Sequence, residues 1–247
     1  MSQARGRRVE LQPAYLLHQR DWRDSSRIIE FYARDYGRIA LFAKGVRRPG
    51  SGLGSVLRPF VPILLTWQGS GDGGTLIAAE TPQVVSPVAP ACIMSGFYLN
   101  ELLMKLLGRE DPHPDIFESY AATLTRLTDP VSERAALRLF EKRFLDALGF
   151  GVDYAHCLED GDGVVSGRYY RVDPARGVVS VVSAQASGAV AGDDLLALAA
   201  ELLVDDAQLA VARRLLGATL EAVLDGRELN SRRVARAVKA RPAPMEG

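Results

Sequence analysis

Between positions 23 and 58, the cations Arg23, Arg34, Arg38, Lys44, Arg47, Arg48 and Arg58 interleave with the aromatic residues Tyr32 and Phe42. Guanidinium and ammonium groups neutralise phosphates, and ring faces stack on bases of any identity. Together they suit the grip of a single polynucleotide strand, sequence-blind and weakened by salt. Each residue also has an ordinary reading. A lone arginine is a solvated surface cation, and Tyr32 and Phe42 are outward rings that could equally pack against a second domain.

These residues fall on elements readable from the sequence. Pro13 to Arg20, Ser25 to Arg34 and Arg38 to Lys44 are short runs rich in β-branched, aromatic and leucine residues. They are separated by the turn signals Asp21-Trp22-Arg23-Asp24 and Asp35-Tyr36-Gly37. Side chains alternate along a strand, so Ile29, Phe31 and Ala33 share one side and Ile39, Leu41 and Ala43 do the same on the next strand. Those sides face the core. Ile28, Glu30, Tyr32 and Arg34, with Arg38, Ala40, Phe42 and Lys44, take the opposite side, which should see solvent. Val61 to Trp67 and Thr75 to Ala79 add two strands, joined through the flexible loop Gly69 to Gly74. Five short strands suit an OB-type barrel, which binds oligonucleotides on strands 2 and 3 and nearby loops, although other small barrels fit the same pattern.

Catalytic and cofactor motifs do not meet their own requirements. Gly45 to Ser51 has the glycine spacing of a phosphate loop but not its lysine. Gly69, Gly71 and Gly74 satisfy GxGxxG, yet a strand follows where a dinucleotide site needs a helix. His18, His113 and His156 have no companions at zinc spacing, Asp160 and Asp162 lack the glutamate of a calcium loop, and no Ser/His/Asp elbow occurs. The expectation is a protein without enzymatic activity, metal or cofactor. The main rival is a nuclease, whose clustered carboxylates for Mg²⁺ are not apparent. A protein-binding scaffold is a third reading.

The zero net charge conceals a polarity. Residues 1–80 carry 12 Lys and Arg against 7 Asp and Glu, leaving 18 against 23 for the rest. Such segregation permits a local positive patch on an acidic body. Two cysteines, Cys92 and Cys157, give no disulfide framework and fit a reducing compartment. With no long apolar run and no secretory leader, a cytoplasmic location near the nucleoid and no membrane partner are expected.

Beyond Pro82 to Pro90 the apolar period changes from two to three-and-four, and the domain boundary is placed there. The expected organisation is an α+β chain. An OB-fold barrel at 1–82 precedes a mainly helical domain at 83–240, with a non-helical insertion at 150–186 and a disordered tail at 241–247. Helices are predicted at Ala91 to Leu107, Asp115 to Leu127, Ser132 to Leu148, Asp194 to Leu203, Ala207 to Leu224 and Ser231 to Lys239. The insertion is predicted to hold a hairpin of Val164 to Val172 and Gly177 to Val182.

Several stretches in order resemble the RecO family of bacterial recombination mediators. They are Arg23-Asp24-Ser25-Ser26, Gly37-Arg38, Ala43-Lys44-Gly45-Val46-Arg47-Arg48, Leu57-Arg58-Pro59-Phe60, Tyr98-Leu99-Asn100-Glu101-Leu102-Leu103, Leu137-Arg138-Leu139-Phe140-Glu141, Leu148-Gly149-Phe150-Gly151, His156-Cys157 and Leu229-Asn230-Ser231-Arg232. The resemblance implies an N-terminal OB-fold, a helical C-terminal domain and work in DNA repair. Implied with these are binding of single- and double-stranded DNA, strand annealing, contact with the single-strand-binding protein SSB and, with RecR, loading of RecA. Many relatives carry a four-cysteine zinc module in the C-terminal domain. Here only Cys157 stands at such a position, so the module is degenerate and no zinc is expected.

A second candidate site follows from the third predicted helix. Arg134, Arg138 and Lys142 form one basic stripe at i, i+4 and i+8, beside Phe140 and, from the preceding helix, Phe117 and Tyr120. A cationic rim around an apolar pocket suits a short acidic peptide with a hydrophobic end, such as the SSB tail that the resemblance implies. Intrahelical pairing of Arg134 with Asp or Glu neighbours is the plainer alternative.

Overall fold

The computed structural model describes residues 7–48, 50–70, 73–82, 86–158, 161–231 and 233–234. The predicted tail at 241–247, most of the helix predicted from Ser231, Asp160 and part of the Gly69 to Gly74 loop lie outside the described residues.

Five strands close into a barrel: β1 (Arg7–Trp22), β2 (Ser26–Ala33), β3 (Gly37–Ala43), β4 (Ile63–Ser70) and β5 (Gly73–Glu80), in the order β1-β2-β3-β5-β4. A short helix, α1 (Gly52–Val56), leads from β3 towards β4. Strands β3 and β5 pair in parallel and the other neighbours pair antiparallel, as an OB-type barrel requires. The first strand is long enough to serve two neighbours. Its first half pairs with β4 and its second with β2, and a bulge between Leu16 and His18 bends it. Alternation decides which side chains fill the barrel. Ile29, Phe31 and Ala33, with Ile39, Leu41 and Ala43, join Leu16, Ile63, Leu65 and Trp67 in one buried core, the inward set predicted above.

The outer side differs from the expectation that it faces water. Two helices, α2 (Ile93–Leu106) and α3 (Pro114–Arg126), belong with the barrel in one compact unit, which also takes in the described residues from Leu229 onward. Their polar and aromatic residues face β1 and β2. Buried Asn100 donates to the carbonyl of Leu17 at 2.9 Å and accepts from the Tyr120 hydroxyl at 2.5 Å. The rings of Phe117 and Tyr120 lie 5.4 and 5.1 Å from that of Tyr15. Packing therefore groups two of the helices with the barrel rather than dividing the chain where the composition shifts.

The second unit is Val131–Glu228. It holds α4 (Glu133–Ala147), α5 (Gly192–Ala199) and α6 (Asp206–Leu224), with a three-stranded sheet of β6 (Tyr169–Asp173), β7 (Gly177–Val181) and β8 (Val190–Ala191) in the order β7-β6-β8. The hairpin forms through Asp173, whose carboxylate accepts from the amides of Ala175 and Arg176. Its first strand is shorter than predicted because a turn precedes it, closed by the Arg168 amide on the Val165 carbonyl at 3.3 Å, while the Val165 amide donates to the Tyr170 hydroxyl at 2.8 Å. Among the described residues no helix is long and apolar enough to cross a membrane.

Candidate nucleic-acid interface

Two loops at one end of the barrel gather most of the expected cations. The β1–β2 turn holds Arg23 in a left-handed conformation, φ 54°, unusual for a residue with a side chain. The loop after β3 carries Lys44, Arg47 and Arg48, and the Arg48 side chain lies over Gly45, where an added Cβ would sit 3.5 Å from its Cδ. A hydrogen bond from the Arg47 amide to the Ser25 carbonyl, 3.1 Å, ties the two loops together. Asp21 reinforces the tie, accepting from Arg27 Nε at 2.9 Å and lying 3.3 Å from Arg47 Nη1. One carboxylate thus serves two guanidiniums, and the cluster keeps a positive excess.

Around that anchor, Arg23, Lys44 and Arg48 are exposed and make no ion pair among the described residues, and the same holds for Arg20 on β1. Arg58, beyond α1, is also exposed and unpaired among them. Exposed cations without carboxylate partners retain their charge for an external anion at no cost in broken pairs.

Three of the expected contacts are committed elsewhere. Tyr32 is fully buried: its hydroxyl donates to the carbonyl of His113 at 2.9 Å, and its ring meets Phe117 and Tyr120 at 5.5 and 6.5 Å. Burial first, and then the Asp111 charge, push its phenol pKa well above the usual value, so it stays protonated. No ring face is left for a base. Arg38 is likewise turned inward, donating Nη1 to the carbonyls of Met104 and Leu107 at 2.5 and 2.7 Å and lying 3.7 Å from Glu30. Its guanidinium caps the C-terminal end of α2, where the helix leaves carbonyls unpaired. Arg34 is exposed but sits 3.3 Å from Glu118 of α3. Phe42 remains half-buried on the outer face of β3. Trp22, read from the sequence only as a turn residue, is an exposed ring beside this cluster.

The sequence profile described as "Recombination protein O N terminal" matches residues 8–84, and the one described as "Recombination protein O C terminal" matches residues 92–233. The chain belongs to the RecO family. A protein of Alkalilimnicola ehrlichii named DNA repair protein RecO is 42% identical over 242 residues, covering 96% of this chain and 95% of its own. Proteins of the same name from Nitrosococcus oceani and Cupriavidus metallidurans are 39% and 37% identical, over 91% and 92% of this chain and 92% and 77% of theirs.

The second candidate site of this RecO chain is divided between the two units. Phe117 and Tyr120 are buried against the barrel, and Phe140 is buried in the other unit, stacked on Phe144 at 5.4 Å. The pocket-lining role expected of these rings is therefore not available, because each fills a core. Arg138 is withdrawn too, with Nη2 on the fully buried Glu141 at 2.7 Å. Arg134 pairs with Asp206 of α6 rather than with an acid of its own helix, and both groups are exposed. Lys142 bonds Asp146 at 2.9 Å and borders an open cavity of about 420 Å³ lined also by Gly149, Gly151, Val152, Asp153 and Tyr154.

Zinc, which the RecO resemblance raises, does not fit the donors present. His156 turns its imidazole to Asp153 at 2.9 Å and Cys157 is buried, while no group of three or more His, Cys, Asp or Glu side chains gathers among the described residues.

Proposed function

We propose that this RecO-family chain works in DNA repair and recombination by holding DNA on the cationic end of its barrel, without catalysing a reaction. The observation that carries the reading is the tethered pair of loops: Arg23, Lys44 and Arg48 are exposed and unpaired among the described residues, around an anchor in which Asp21 is already satisfied by Arg27 and Arg47. Phosphates bind there by displacing counterions, and Arg58 extends the positive surface beyond α1. No carboxylate cluster accompanies these cations among the described residues, which favours binding over metal-assisted hydrolysis.

Membership of the family supports the finer parts of the proposal, in which the chain binds single and double strands, anneals complementary strands and, with RecR, helps load RecA onto SSB-coated DNA in the cytoplasm. Annealing follows physically if the basic patch reduces repulsion between strands whose bases stay exposed. Contact with the SSB tail is assigned to the exposed cation Arg134 and to Lys142 of α4 rather than to the buried rings.

The test is oligonucleotide binding followed by fluorescence anisotropy over a salt series. The Lys44→Ala/Arg48→Ala double variant should bind more weakly at low salt, with the slope of log affinity against log salt shallower by about 0.7 for every phosphate that is no longer neutralised. Equal affinity and an unchanged slope would remove the proposed interface. A strand-annealing assay without nucleotide, with and without SSB, separates the mediator from a nuclease or a scaffold.

A further inference from the structure

We infer that Trp22 is the stacking platform of the interface, taking one unpaired base of a single strand while the neighbouring cations hold the phosphates. The inference rests on the binding proposed above and adds a residue to it. Stacking on a barrel of this kind needs an aromatic face open to solvent and next to positive charge. Neither ring expected from the sequence supplies that face, because Tyr32 is fully buried and Phe42 half-buried.

Trp22 meets both conditions. It is 43% exposed at the last position of β1, and its indole has no hydrogen-bond or ring partner among the described residues. Register places it outward. Trp22 pairs with Ser26, two positions beyond the pair Arg20 and Ile28, while Ile29, next along β2, points into the core. The cross-strand partner is a small serine, which leaves the indole uncovered on that side. Ile28 in turn pairs with Phe42, so Trp22, Ile28 and Phe42 share the outer face of β1 to β3 with Arg20.

Charge complementarity names the occupant. Arg20 and Arg23 flank Trp22 in sequence and are unpaired among the described residues, and the carboxylate next to it in the chain, Asp21, already faces Arg27 and Arg47. An apolar protein partner would have to desolvate these cations, whereas a nucleotide presents a flat ring and an anionic phosphate together. Other exposed rings lack this setting. Phe97, for example, meets Phe60 edge-on at 5.0 Å.

The chain contains two tryptophans, and Trp67 is buried in the barrel against Tyr36. A Trp67→Phe variant therefore reports Trp22 alone by fluorescence. Titration with oligothymidylate should quench that emission, while an abasic oligomer of equal length should bind through phosphates and leave it nearly unchanged. In the otherwise unaltered protein, Trp22→Ala should lower oligothymidylate affinity by about 5- to 150-fold by anisotropy, with the salt slope preserved. This second measurement does not depend on how well Trp67→Phe folds.

Binding that leaves Trp22 emission unaltered, equal quenching by the abasic oligomer, or full affinity in Trp22→Ala each overturns the stacking role and leaves the cationic interface standing. Failure of the unaltered protein to bind either oligomer removes both.

Discussion

Arg38 Nη1 lies 2.7 Å from the carbonyl oxygen of Leu107, so a cation from a barrel strand terminates a helix some seventy residues later. The same guanidinium approaches Glu30 at 3.7 Å, and Glu30 also holds Arg109. Removing Arg38 would leave a nearly buried carboxylate with one partner and the end of α2 without its cap. Arg38→Ala should therefore cost about 3 kcal/mol in urea unfolding. Oligonucleotide affinity, measured where the variant is still folded, should be unchanged. A marked loss of affinity without loss of stability would return Arg38 to the interface.

Tyr32 gives a graded version of the same test. Tyr32→Phe removes one hydrogen bond, to His113, and keeps the ring against Phe117 and Tyr120, so about 1 kcal/mol is expected. Phe117→Ala opens the centre of that aromatic cluster and should cost about 3–5 kcal/mol. Chemical denaturation of both variants checks the order. Tyr32→Phe binding oligonucleotide like the unaltered protein would agree with Tyr32 as a packing residue.

The contrast between these buried residues and the loops marks what the sequence made legible. A two-residue period reports parity, and it separated Ile29, Phe31, Ile39 and Leu41 from Tyr32, Arg38 and Phe42. Parity does not say whether the outward side meets water. That depends on α2 and α3, whose contacts with β1 and β2 join positions 80 or more apart, as from Tyr32 to His113 and from Asn100 to Leu17. The loop cations were readable because they stay exposed among the described residues. Trp22 was missed for a different reason. The surrounding Asp and Arg residues form a strong turn signal, yet β1 continues through Trp22 and turns only at Arg23.

The β2–β3 turn should tolerate nothing larger than glycine at position 37. Gly37 has φ 65°, and an added Cβ would lie 2.3 Å from the backbone oxygen of Asp111, in the connection between α2 and α3. Backbone strain and a collision with another main chain therefore act together. Gly37→Ala should cost more than about 2 kcal/mol. Gly50 has φ 78° with nothing within 4 Å, so Gly50→Ala should cost only about 1 kcal/mol, from conformation alone. Thermal unfolding of the two variants measures the collision by difference; equal losses would mean that the Asp111 backbone moves aside freely.

Glu101 makes part of the stability depend on pH. Its carboxylate accepts from the amides of Asn230 and Ser231 at 2.8 Å and from the Ser231 hydroxyl at 2.7 Å, at the first turn of the helical segment that begins at Asn230. A charged acceptor at the amide end of a helix is favourable. Burial alone would raise its pKa, but these hydrogen bonds, helped by Lys105, outweigh burial and hold it below the usual carboxylate value. A depressed folded-state pKa contributes stability that is complete above the unfolded value, about 4.3, and is lost as pH falls through the folded value. Glu101→Gln keeps an acceptor without the charge. It should be less stable at pH 7 by about 1–2 kcal/mol, and the gap should close as the pH is lowered from about 5 towards 3. Urea unfolding at pH 7 and again near pH 3.5 reads both quantities. A gap that persists at low pH would trace the loss to packing of the amide rather than to ionisation of Glu101.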